Sequence, residues 1–149
     1  MGSLMLAALA GALGAVAFAV LIRVPRRQLL FAALAGLVSA GIYALCGQLR
    51  FGEIAQVFLA SVAVAALSEL LARLRRTPAI VFLMPGLIPL VPGLLAYDAM
   101  YDLVRGNFIH GAGVAAETLF WAAAIGVGIA LVLTLSQMFA GQATGRPRE

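Results

Sequence analysis

The chain has 149 residues, 64% of them hydrophobic and only 11% charged, with a formal net charge of +4. A soluble domain carries about a quarter charged residues, so this composition excludes an ordinary soluble fold and points to an all-α integral membrane protein. The ten basic residues are all arginine and sit in short clusters between apolar runs, which are orientation signals flanking membrane spans and not a nucleic-acid footprint.

Five apolar segments are predicted near residues 3–22, 28–46, 54–72, 78–100 and 112–139. Each is close to the ~20 residues that cross a hydrocarbon core of ~30 Å. Residues 1–140 are expected to form a single membrane domain, and 141–149 a short cytoplasmic tail. The first segment could be mistaken for a signal peptide, and Ala17-Phe18-Ala19 resembles a cleavage site. Its basic residues follow the apolar run instead of preceding it, which predicts a retained span.

The loops set direction. Arg23, Arg26 and Arg27 follow the first segment, Arg73, Arg75 and Arg76 follow the third, and Arg146 and Arg148 lie in the tail. The intervening loops carry only Arg50 and Arg105, a tally of eight against two. The excess of arginine on one side predicts an outside N-terminus and a cytoplasmic C-terminus. Small residues recur every four positions, as in Ala7/Gly11/Ala15, Ala32/Gly36/Ala40 and Ala124/Gly128. Such faces let helices approach closely in lipid, although an alanine-rich chain also scatters such pairs by chance. Cys46, the single cysteine, excludes an internal disulfide and reads as a small residue at a span end.

The fourth segment carries Met84-Pro85-Gly86-Leu87-Ile88-Pro89-Leu90-Val91-Pro92-Gly93 inside a stretch without charge from Thr77 to Tyr97. Each proline lacks an N–H and clashes with the carbonyl four residues back. The carbonyls of Val81, Pro85 and Ile88 are therefore expected to lose helical partners. Met84, Ile88 and Val91 precede prolines and are biased toward extended backbone. This predicts a fourth helix broken within the membrane, with Pro85 roughly 13 Å deep. The alternative is a simple kink packed against neighbours. Broken membrane helices are tolerated where they line a cavity, as in transporters. Freed carbonyls could bind a cation or an ammonium group, and the helix restarting near Pro92 and Gly93 presents N–H groups suited to a carboxylate. Pro85, Gly86, Pro89, Pro92, Gly93 and Tyr97 are the candidate substrate-binding residues.

Asp98 and Asp102 lie four apart and share a helix face at the end of the fourth segment. They read either as a proton-coupling or ammonium site or as wet carboxylates at the membrane edge. Glu117, early in the fifth segment and followed by Trp121, is a third coupling candidate by virtue of an intramembrane charge. Glu69 and Arg73 are spaced for an ion pair, and Glu53 and Arg50 read as loop charges. His110, the one histidine, sits in the polar loop before the fifth segment, and no spacing of metal ligands surrounds it. There is no phosphate-binding glycine loop, no Ser-His-Asp arrangement and no implied cofactor; nothing in the pattern argues for an enzyme.

The proline signature of residues 85–93, followed by Tyr97 and Met100, resembles the second membrane half of the ThrE-type threonine/serine exporter family. The chain as a whole is similar to that family's short stand-alone subunit. The resemblance implies a multi-pass protein of the bacterial inner membrane that works with a larger membrane subunit. It also implies export of threonine, serine or a related small carboxylate such as succinate. If the partner also has five spans, the two halves run inverted to each other, a recurring transporter design that suits a chain starting outside. Two other readings stay open: a homo-oligomeric channel with the proline segment lining a shared pore, and a scaffold subunit whose broken helix docks a partner.

Overall fold

A computed structural model describes residues 2–144. These form six α-helices: α1 (Gly2–Leu21), α2 (Leu29–Gln48), α3 (Glu53–Arg75), α4 (Ile80–Leu87), α5 (Gly93–Val104) and α6 (Phe108–Thr144). Short 3-10 turns at Arg26–Gln28 and Ile88–Leu90 complete the described secondary structure, which contains no strand. Helices α1, α2, α3 and α6 are each long and apolar enough to cross a membrane, and α4 with α5 passes the same test as a pair bent by 50°, which gives four to five candidate crossings. The all-α reading with a broken fourth span is thus the observed architecture. Helix α6 runs past the expected end of its span at 139, and Arg146 and Arg148 of the expected tail lie outside the described residues.

Three helices stop in the same way. Arg23, Arg50 and Arg76 follow α1, α2 and α3 with φ of 59°, 59° and 51°. Each occupies the left-handed position that usually falls to glycine at a helix end. Pro25 and Pro78 then prevent two of these helices from continuing. The α1–α2 and α3–α4 turns lie at one end of the bundle, where the Arg75 guanidinium sits 4.6 Å over the Phe31 ring of α2.

Packing begins with α1 against α2, the most extensive helix pair. Their small-residue faces meet: a Cβ added at Gly11 would lie 2.7 Å from the Gly36 carbonyl oxygen, and one added at Gly36 would lie 2.5 Å from that of Gly11. Helix α4 fits among α1, α2 and α3, whereas α5 packs on α6 and α6 on α3. The core cluster comprises Ala35, Ala60, Val64, Ala65, Leu83, Leu90 and Val132. Phe82 is fully buried edge-on to Phe31, with ring centroids 6.2 Å apart. The predicted Glu69–Arg73 ion pair forms at 4.0 Å, and Arg73 also donates to the Ser136 carbonyl of α6.

The proline segment departs from expectation in detail. Pro85 lies inside α4, and Ile88 keeps helical angles (φ −50°, ψ −44°) although Pro89 follows it. The bias against helix before proline is a preference, and here burial of Phe82, Leu83, Pro85 and Gly86 outweighs it. The carbonyls of Pro85 and Ile88 are also not orphaned. The chain tightens to 3-10 geometry, so that the N–H of Ile88 reaches Pro85 and that of Val91 reaches Ile88. The helix yields at Val91, which is extended (ψ 124°), and at Pro92 (ψ 54°), before α5 restarts at Gly93.

Candidate functional site

The break defines the site. Because Val91 is extended, Leu94 cannot return its N–H to the carbonyl of Leu90, which an unbroken helix would require. Leu90 is 1% exposed, and a buried carbonyl without a donor costs about 1–3 kcal/mol. Trp121 of α6 removes that cost: its indole Nε1–H donates to the Leu90 oxygen at 2.9 Å. The Trp121 ring also packs on Tyr43 of α2, with centroids 5.9 Å apart. Beyond the break, Gly93 donates to Val91 and Ala96 to Pro92, while the N–H groups of Leu94 and Leu95 have no backbone acceptor among the described residues.

A cavity of about 380 Å³ lies beside the break, lined by Tyr43, Ile88 and Pro89 and floored by small residues of α1 including Gly11 and Gly14. That volume is within the range of small-molecule sites, about 300–1,000 Å³. Small residues make the room. A side chain at Gly14 would meet nothing nearby, so the cavity is open there, whereas Gly11 is pressed against α2 and Pro89.

The candidate residues take different places. Pro89 lines the cavity. Pro85 and Gly86 are buried in the packing of α4, where a Cβ on Gly86 would lie 2.5 Å from Val64 Cγ2. Pro92 and Gly93 begin α5 at the break. Tyr97 is exposed one turn later and stacks on Tyr101, with centroids 6.0 Å apart.

Among the coupling candidates, Asp98 is exposed on α5. Asp102 is held by His110, with Oδ2 and Nδ1 2.7 Å apart. His110 lies in the first turns of α6 and not in a loop, as its sequence position suggested. Glu117 and Glu53 line an open cleft of about 830 Å³ between α3 and α6 with Phe58, Phe120 and Val127. Glu53 is the first residue of α3 and not the loop charge its sequence position suggested. No group of three potential metal ligands occurs among the described residues.

Sequence reasoning missed the roles of Tyr43, Trp121 and His110. The one available signal was that tryptophan is an obligate donor when buried, and it does not reveal which acceptor it meets.

No match to the chain was found among curated proteins or among solved structures. A family model described as threonine/serine exporter, ThrE, matches residues 7–135, which take in α2 to α5 in full, most of α1 and α6, and the cavity beside the break. With most of its length matched, the chain belongs to the threonine/serine exporter family and is a multi-helix membrane transport protein.

Proposed function

We propose that this chain is one subunit of an exporter of threonine, serine or a related small carboxylate such as succinate, completed by a larger membrane partner. The observation that carries the reading is the 50° break at Val91–Pro92 beside a cavity of small-molecule size, in a chain of an exporter family. The N–H groups left free at the start of α5 suit a carboxylate, and the site residues Pro89, Pro92, Gly93 and Tyr97 cluster around that end. Pro85 and Gly86 support it from the core. Coupling to protons falls to Asp98, with Glu117 and Asp102 as further carboxylates near the same end of the bundle. The arginine distribution favours an outside N-terminus in a bacterial inner membrane.

A partner is supported by the coverage of the bundle. Helix α6 is the least covered of the long helices, and its cleft with α3 carries two carboxylates in apolar walls. Charged groups in such surroundings favour cover by protein over lipid. A second copy of the chain would meet the same need and give a homo-oligomeric channel.

The test is efflux of labelled threonine, serine and succinate from cells making this chain alone, then with its partner. Efflux only with both supports a split exporter, and efflux or conductance from this chain alone supports the homo-oligomer. Asp98→Asn is expected to lower efflux with insertion unchanged; full flux in that variant removes Asp98 from the mechanism.

A further inference from the structure

We infer that the Leu90 carbonyl is the acceptor for a substrate ammonium group, and that the indole of Trp121 is its placeholder in the empty state. The inference rests on the export reading and adds a rule of recognition to it. Leu90 offers the carbonyl orphaned by the break, and the structure fills it with a neutral donor from another helix, 31 residues away in sequence. An ammonium group is the stronger donor, because charge-assisted hydrogen bonds are roughly twice as strong as neutral ones.

The surroundings favour a cation. Tyr43 both lines the cavity and packs on Trp121, so one ring joins the cavity wall beside Pro89 to the indole that holds the carbonyl. Aromatic faces attract a cation within about 6 Å of the ring centroid, more so when it is desolvated. The N–H groups of Leu94 and Leu95, free just beyond the break, are the donors a carboxylate on the same ligand would use. The site thus selects small zwitterions that carry an ammonium group over dicarboxylates that lack one. Binding would exchange the indole for the ligand and release α6 from the break, linking occupancy to the bend.

Trp121 is the only tryptophan of the chain, so its fluorescence reports directly on this exchange. The experiment titrates the purified full chain in nanodiscs, alone and with its partner, with threonine, N-acetylthreonine and succinate. Threonine is expected to shift the emission and the other two to leave it unchanged. Equal responses to all three, or none to threonine in either preparation, would overturn the inference. A second variant separates recognition from packing. Trp121→Phe keeps a ring but removes the competing donor, so binding of labelled threonine should tighten by about fivefold, the weight of one neutral hydrogen bond. Weaker or unchanged binding would make Trp121 a packing residue only and sink the exchange. Efflux measured in parallel keeps the two ideas apart. Ammonium-dependent fluorescence without efflux preserves the site and defeats the exporter reading, while efflux without that fluorescence does the reverse.

Discussion

His110 Nδ1 lies 2.7 Å from Asp102 Oδ2, fastening the last turn of α5 to the first turns of α6 across a tight connection closed by Gly106. The pair is lopsided, with the Asp102 side chain 19% exposed and that of His110 74% exposed. Solvent reaches the imidazole freely, so the contact orients the joint more than it stabilises the fold. An exposed pair of this kind contributes about 0–1 kcal/mol. Asp102→Asn and His110→Gln are each expected to leave the melting temperature nearly unchanged. Both should speed amide hydrogen exchange at residues 103–107, which mass spectrometry would resolve. A large loss of global stability in either variant would contradict this assignment.

The two glycines of the proline signature should respond in opposite ways. A Cβ at Gly86 would lie 2.5 Å from Val64 Cγ2 and 2.9 Å from Ala35 Cβ, whereas one at Gly93 would meet nothing. Overpacking of this kind costs about 1–3 kcal/mol. Gly86→Ala should therefore lower the free energy of unfolding in detergent by that amount. Gly93→Ala should stay within about 0.5 kcal/mol of the parent, as an open surface change does.

Filling the cavity tests whether it is the path. Gly14 lines it and has open space where a side chain would go. Gly14→Leu should occlude the cavity and depress efflux several-fold while the protein remains inserted and folded. Gly113→Leu, an equally open glycine outside that cavity, is the control and should export normally. Normal export by Gly14→Leu would move the path elsewhere.

Left-handed arginines hold removable strain. Arg76 ends α3 at φ 51°, with its N–H bonded to the Ala72 carbonyl. A residue with a Cβ pays roughly 1–2 kcal/mol in this conformation, and glycine does not. Arg76→Gly should raise stability by about 1 kcal/mol, measured by thermal unfolding, whereas Arg76→Ala keeps the strain and should give no gain. Loss of the charge is a separate matter, read from the fraction of molecules inserted in the normal orientation.

Much of the architecture was legible before any tertiary contact. Apolar length and arginine placement are local properties, and they marked the four long helices, the bent α4–α5 pair and the turns between them. Pro92 likewise announced the restart at Gly93, because a missing N–H and a restricted preceding residue act within a few positions. Three prolines alone could not say which of them would break the helix. Pro85 stays helical because its neighbours are buried among α1, α2 and α3, and that outcome depends on packing. The Leu90–Trp121 bond, the Tyr43 ring beside it and the Asp102–His110 clasp were also decided only by the fold. Each joins groups from different helices, and a donor's chemistry, unlike hydropathy or proline geometry, does not disclose which distant carbonyl or carboxylate will be brought within its reach.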